Sequence, residues 1–301
     1  LRRGGAAGPR EGARLTVAAD GGVTVAVGSS AIGQGLETVL SQVAADALGL
    51  PMARIRLLHG STDLVSEGFG SFHSRSTVMG GNAVLVAAEA FLDELRAAAA
   101  ARFGCAPEAV RWEDGRLRHG DAALDLAAFA GHATERSFAN SKHTYSYGAH
   151  AVEVAVRAET GQVEILDYVT AEDVGRVVNP ATLHGQVVGA VVQGLGSVFL
   201  EELKYDAQGQ LLTGSFADYF LPTATCVPKI RSISLGLRPS PNNPLGVKGA
   251  GEGGLIATGG AVANAIACAL REFGVAPNHL PLTPPRLWAL IEEAAGRAET
   301  A

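Results

Sequence analysis

The sequence predicts an α+β protein of two lobes with mixed β-sheets, each lobe built from a hairpin followed by a helix. Three observations carry this reading. Alternating apolar and polar residues close on a turn and give way to a 3.6-residue repeat, first over residues 13–48 and again over 151–203, which points to an internal duplication. The chain has 301 residues, 47% of them hydrophobic, enough to bury two cores. Its 38 glycines, against 6% aromatic residues, favour close backbone packing and many loops over an aromatic-rich interior. The expected divisions are a linker at 1–12, a first lobe at 13–145 with a peripheral insert at 103–145, and a second lobe at 146–301.

In chain order, residues 13–18 and 23–28 alternate about Asp20-Gly21-Gly22, a hairpin turn whose residues accept positive φ. After Ala31-Ile32-Gly33-Gln34-Gly35, the residues Leu36, Val39, Leu40, Val43, Ala44, Ala47 and Leu48 repeat at helical spacing until Gly49 and Pro51 stop them. A strand is expected at 54–58, a polar glycine-rich loop at 66–77, and a second helix at 81–102. Within the insert, 111–118 reads as a hairpin about Asp114-Gly115, 125–130 as a short helix, and Trp112 as a packing residue. Residues 151–158 and 162–171 form a second hairpin about Glu159-Thr160-Gly161. A long helix over about 181–203 follows, with Asn179 as its cap and Pro180 at its first position. Glycines inside a helix cost about 1 kcal/mol each relative to Ala, so Gly185, Gly189, Gly194 and Gly196 imply close approach of backbone or ligand. Strands are expected at 211–221 and 233–237, a buried helix at 257–270, and a last helix at 286–295.

Several function classes are disfavoured. A net charge of −6 with no basic run argues against a nucleic-acid partner. Cys105, Cys226 and Cys268 are odd in number and widely spaced, so no disulfide framework, iron–sulfur site or zinc site is encoded; they read as small buried groups in a reducing cytoplasm. Charges interrupt every apolar run, so no membrane span is expected. The start, LRRGGAAGPREGARL, lacks the apolar core of a signal peptide and reads as a linker, the expectation being a chain that begins inside a longer or split polypeptide.

The chemistry is concentrated in residues 241–270, where a Pro/Asn-rich segment leads into Gly246–Gly254 and then into an Ala-rich helix. Glycines let backbone amides approach a ligand, and a helix start adds unpaired N–H groups. Glu252 is the lone carboxylate of this loop, a candidate base whose pKa apolar surroundings would tune. Gly249-x-Gly251-x-x-Gly254 fits a dinucleotide fingerprint in spelling but not in context, since no hydrophobic strand precedes it and no βαβ unit follows. With Gly33-Gln34-Gly35, Ser71 to Thr77, and Asp173 to Gln193, it makes four loops rich in glycine, amide and hydroxyl groups. Such groups suit a planar, heteroatom-rich ligand with phosphates. No histidine–carboxylate cluster appears, so a metal would have to arrive in its own organic ligand.

On these residues the sequence resembles the molybdenum-binding large subunit of the xanthine dehydrogenase / aldehyde oxidase / aerobic carbon monoxide dehydrogenase family. The matching stretches are GQGLET (33–38) with Gln42, GSFHSRS (70–76), DVGRVVNP (173–180), GQVVGAVVQGLG (185–196), and NPLGVKGAGEGG (243–254) with Asn264. They cover nearly the whole chain in the family's order and correspond to the carboxy-terminal part of that subunit. The resemblance implies a duplicated molybdopterin-binding domain and a molybdenum-dependent oxidoreductase that works within a larger complex. It implies a cofactor, in the cytosine dinucleotide form, held by Gly33, Gln34, Gly35, Ser71, Phe72, His73, Ser74, Arg75, Ser76, Gln186, Gln193, Gly194, Lys248, Gly249 and Gly251. Glu252 would be the general base of an oxidative hydroxylation, with no metal ligand supplied by the protein. The implied partners are the amino-terminal segment of the subunit, an iron–sulfur subunit with [2Fe-2S] clusters, an FAD subunit and a small-molecule substrate. The alternative is a fragment of such a subunit with no activity by itself. Two positions depart from the family pattern: Ala31 replaces an acidic residue, and Phe72-His73 is bulkier than usual, which would narrow a substrate pocket.

Overall fold

The computed structural model describes residues 10–299. The residues at 1–9 of the expected linker lie outside the described residues, and residues 10–12 are the start of the first strand. The chain forms two compact units. The first comprises residues 10–145 with Val174–Thr182 and Gly236–Gly249; the second comprises Ser146–Asp173, Leu183–Leu235 and residues 250–299.

In unit 1, β1 (Arg10–Val17) and β2 (Val23–Val27) form the expected hairpin, with the Gly22 N–H donated to Asp20 Oδ1 at 2.8 Å inside the turn. Alternation turns Ala13, Leu15 and Val17 of β1, and Val23, Val25 and Val27 of β2, into the core. Helix α1 (Leu36–Leu48) lies between Gly35 and Gly49, both left-handed, and β3 (Ile55–Leu58) pairs parallel to β2. Helix α2 (Asn82–Phe103) follows a π-type turn at Ser76–Gly81. A small antiparallel sheet, β4 (Arg111–Glu113), β5 (Arg116–His119) and β6 (Ala122–Asp125), is tied to α1 by Trp112, whose Nε1–H donates to Leu48 O at 2.7 Å. Residues 126–129 make the expected short helix as a single 3₁₀ turn.

The insert is not wholly peripheral. Strand β7 (Ala133–Ala139) pairs antiparallel with β1 and completes a four-stranded sheet of order β3-β2-β1-β7. Its ATERSFA sequence carries too few apolar residues to signal a strand, and the sheet edge of β1 supplies the pairing.

In unit 2, β8 (Tyr147–Arg157) and β9 (Gln162–Asp173) form the second hairpin. Helix α3 (Pro180–Phe199) follows, capped as expected: Asn179 Oδ1 accepts the Thr182 N–H at 3.0 Å. It ends before 203 because the Leu200 and Glu201 N–H groups both turn back to Gly196 O. Strand β10 (Ile230–Leu235) then pairs parallel to β9, giving the order β10-β9-β8. Helices α4 (Gly253–Ile256), α5 (Thr258–Ala269) and α6 (Pro284–Glu299) complete the unit. Its core joins Tyr168, Val191, Leu195, Val198, Val262, Ile266, Leu287 and Ile291. Helix α5 is buried along the stripe Thr258, Val262, Ile266 rather than all round.

The duplication is visible in both units as hairpin, helix, parallel strand, helix. One expected strand fails: over 211–221 only an isolated Tyr205–Leu211 bridge forms. Ser215 instead closes a local turn, its carbonyl accepting the Tyr219 N–H at 2.8 Å, so the backbone finds partners without a sheet. The cysteines are free, but only Cys105 is half-buried; Cys226 and Cys268 are exposed, contrary to expectation. Among the described residues no helix is long and apolar enough to cross a membrane.

Candidate functional site

The four candidate loops leave the carboxyl ends of β2, β3, β9 and β10, the two parallel strand pairs. In open sheets with parallel strands this is the end at which ligands bind, because loops and helix starts converge there.

In unit 1 the loop after β2 and the loop before α2 meet backbone to backbone. A Cβ on Gly28 would fall 2.4 Å from Gly68 Cα, so neither glycine can carry a side chain without displacing the other loop. Ser71 clamps the pair: its Oγ donates to Ser30 O and accepts the Ser30 N–H at 3.1 Å. Gln34 folds over its own turn, with Oε1 accepting the Ile32 N–H at 2.7 Å and Nε2 donating to Ser30 O at 3.2 Å. Gly33 has φ 97°, and a Cβ there would meet nothing within 4 Å.

In the second loop His73 (φ 52°) and Ser74 (φ 61°) are left-handed without being glycine, at about 1–2 kcal/mol each. Phe72 and His73 are exposed, their rings edge to face at 5.5 Å. Gly249 packs on Ser74 so closely that a Cβ would lie 2.1 Å from its Oγ. A Cβ on Gly35 would likewise lie 2.7 Å from Thr182 Cγ2, and Asn179 Nδ2 donates to Gln42 Oε1 at 2.8 Å. Unit 1 therefore gathers residues 28–35, 68–77, 174–182 and 246–249.

Two buried asparagines hold this arrangement. Asn82 Oδ1 accepts the Leu245 N–H at 2.9 Å, Asn82 Nδ2 donates to Asn243 Oδ1 at 3.2 Å, and Asn243 Nδ2 donates to Val247 O at 2.9 Å. Sequence reasoning missed Asn82, although a polar residue opening an apolar helix is the kind of signal that could have found it. Lys248 is buried, and its N–H donates to Val174 O at 2.9 Å.

Arg75 does not present its guanidinium as a phosphate contact would require. It is fully buried, with Nη2 donating to Arg10 O at 2.5 Å and to Glu11 Oε2 at 2.9 Å, and it lies 5.2 Å from the centre of the Phe69 ring. Burial pushes the Glu11 carboxyl above the usual carboxylate range, and the Arg75 charge works against that shift. A charge at this depth needs a partner, and Glu11 was not singled out from the sequence.

In unit 2, Gln186, Gly189 and Gln193 share a stripe of α3, spaced by three and four residues. Gln186 is half-buried and Gln193 exposed; among the described residues neither carboxamide has a hydrogen-bond partner. Gly194 has a packing role, since a Cβ there would lie 2.6 Å from the Thr258 Cβ. Gly251 is exposed, with nothing within 4 Å of its would-be Cβ. Glu252 is also exposed and stands at the cap of α4, its carbonyl accepting the Leu255 N–H at 3.1 Å. The expected apolar setting belongs instead to Glu172, 3% exposed, whose carboxyl is raised by burial. Its signal was the alternation of β9, which points Tyr168, Thr170 and Glu172 the same way.

These residues fit a hydrogen-bonding organic ligand. The unit 1 loops are poor in side chains, and the buried hydroxyls of Ser29 and Ser76 lack a hydrogen-bond partner among the described residues. No three His, Cys, Asp or Glu side chains among the described residues are grouped to hold a metal ion.

The family profile of the molybdopterin cofactor-binding domain matches residues 2–228. The chain is 36% identical over 292 residues to the 6-hydroxypseudooxynicotine dehydrogenase complex subunit gamma of Paenarthrobacter nicotinovorans, a match covering 91% of this chain and 37% of that one. It is also 36% identical to the nicotine 6-hydroxylase large subunit of the same organism, over 89% of this chain and 35% of that one. Among solved structures, quinoline 2-oxidoreductase from Pseudomonas putida 86 superposes with a TM-score of 0.85 at 32% identity, covering 94% of this chain and 38% of that one. Carbon monoxide dehydrogenase from Oligotropha carboxidovorans gives 0.85 at 27%, covering 95% and 38%. The chain thus spans a little over a third of the relatives it matches.

Proposed function

The chain belongs to the molybdenum-binding large-subunit family of the xanthine dehydrogenase and carbon monoxide dehydrogenase type, and on that footing we propose that it holds the pterin cofactor of a molybdenum hydroxylase and supplies Glu252 as the general base. The observation that carries the first half is the unit 1 cradle, in which four loops are locked by Ser71 on Ser30, Ser74 against Gly249, and the Lys248 N–H on Val174 O.

When bound, the molybdopterin cofactor supplies the two-electron oxidation of substrate. This chain's residues bind and orient it. The Gly33-Gln34-Gly35 turn and the carboxamides of Gln186 and Gln193 offer donors and acceptors to the pterin. Ser71, Ser74 and Ser76, with the Gly249 and Gly251 backbone and Lys248, meet the phosphates of a cytosine dinucleotide form. Arg75 acts through Glu11, holding the strand and loop on which those serines sit. Phe72 and His73, bulky and exposed, limit the substrate. Glu252 takes the proton released as the substrate is hydroxylated, a role worth about 10²–10⁴ in rate.

The two relatives named for nicotine and 6-hydroxypseudooxynicotine, with the quinoline enzyme, favour a nitrogen heterocycle as substrate. Turnover belongs to the assembled enzyme in the cytoplasm, with the amino-terminal part of the subunit, an iron–sulfur subunit carrying [2Fe-2S] clusters and an FAD subunit. By itself the chain is inactive. The deciding experiment is Glu252→Gln in that assembly, screened with nitrogen heterocycles and aldehydes against a dye acceptor. Cofactor content should be kept and turnover lost; turnover near that of the unmutated enzyme would remove Glu252 as the base.

A further inference from the structure

Behind the turn that carries Glu252, unit 2 buries a line of polar side chains. His150 comes from β8, Tyr168, Thr170 and Glu172 from inward positions of β9, and Thr258 from the start of α5. The His150 side chain is 1% exposed and Glu172 3%, while Tyr168 and Thr258 are fully buried. Thr258 Oγ1 donates to Gly254 O at 2.6 Å, Tyr168 OH donates to Thr258 Oγ1 at 2.9 Å, and His150 Nδ1 lies 2.8 Å from the Tyr168 hydroxyl.

The direction of this chain follows from its last member. A carbonyl only accepts, so the single Thr258 proton goes to Gly254 and the single Tyr168 proton goes to Thr258. His150 Nδ1–H must then donate to the tyrosine oxygen, which leaves Nε2 facing Glu172 Oε1 at 3.8 Å. Thr170 Oγ1 donates to that same Glu172 oxygen at 3.2 Å. The other oxygen walls off Gly253, where a Cβ would come within 2.2 Å of Oε2.

Two of the four residues of α4 therefore lie against these side chains: Gly254 is hydrogen-bonded by the Thr258 hydroxyl, and Gly253 packs under the Glu172 carboxyl with no room for a side chain. Glu252 is the residue just before them and caps the same turn. Apolar packing could fill this space, but it would not single out one position for the Gly254 carbonyl; a directed chain of hydrogen bonds does. We propose that Glu172, His150, Tyr168 and Thr258 are positioning residues that fix the Gly253–Gly254 backbone and so aim the Glu252 carboxylate. This inference rests on Glu252 being the base.

The test uses the assembled holoenzyme and Thr258→Val, which keeps the side chain's shape and removes its hydroxyl. Tyr168→Phe removes one oxygen and carries the same test if the valine variant fails to fold. Thr258→Ser is the rescue. Amide hydrogen exchange in peptides covering residues 250–257 should quicken about tenfold or more in the first two variants and return in the third, with β8 and β9 unchanged. At unchanged molybdenum content and KM, kcat on the best substrate of the panel should fall about tenfold and recover with serine. Unchanged exchange at 250–257, quickening spread evenly over β8, β9 and α5, or no recovery with serine would each overturn the proposal. Glu252→Gln run alongside separates the two ideas. If that variant is inactive while Thr258→Val matches the unmutated enzyme in exchange and kcat, only the positioning role falls; if it turns over normally, the base assignment falls.

Discussion

Arg75 and Glu11 form a fully buried ion pair in unit 1, and each charge is tolerable only because the other is there. Arg75→Met would leave the Glu11 carboxylate without its counter-charge in the interior, at an expected cost of about 3–5 kcal/mol, read as a lowered urea midpoint. Adding Glu11→Leu should recover most of that loss, because a well-packed apolar pair needs no counter-charge. Glu172 gives a residue-scale prediction with a defined sign. Its folded pKa is raised by burial above the ordinary 4.5, so the stability it contributes is present below that value and is lost as pH rises through the folded pKa. Glu172→Gln removes that titration. Its urea midpoint relative to the unmutated protein should therefore rise as pH is raised above the ordinary carboxylate value, in parallel titrations. His150, whose pKa burial lowers, works in the opposite direction. It contributes stability above its unfolded value that is lost as pH falls through the folded one, so the acid side of the profile belongs to it.

At the scale of the element, α3 separates two kinds of helical glycine. Gly194 faces Thr258 with no room for a methyl group, whereas a Cβ on Gly189 would meet nothing within 4 Å. Gly194→Ala should lower the unfolding midpoint by the equivalent of about 1–3 kcal/mol through overpacking. Gly189→Ala should raise it by about 0.5–1 kcal/mol, because alanine loses less backbone entropy in a helix. Calorimetry on the two variants checks both signs. The α3 cap was readable in the sequence because Asn followed by Pro is a local signal, and a bond from the Thr182 N–H to Asn179 Oδ1 needs no distant residue. Strand β7 and the loop over 211–221 were misread for the converse reason. The first is a strand because β1 offers an edge, and the second is not a strand because Ser215 satisfies the backbone locally.

At the scale of the whole molecule, the same order of hairpin, helix, parallel strand and helix appears twice, and the candidate residues follow the carboxyl ends of the strands in both copies. Gly249→Ala would drive a methyl group into Ser74 and spread the cradle of unit 1. We expect about one molybdenum per assembled complex in the unmutated enzyme and a severalfold lower content in this variant, measured by elemental analysis. Unchanged content would mean that the contact between Gly249 and Ser74 does not shape the cofactor site. The amino-acid sequence by itself determined the duplication, both hairpins, the principal helices and the glycine-rich loops, since each depends on periodicity and turn chemistry between near neighbours. Only the tertiary structure decided which polar groups are buried. Arg75 turned inward to Glu11, Glu252 came to lie at the surface, and Glu172 was sealed behind it, because burial is set by distant strands and helices that no local pattern records.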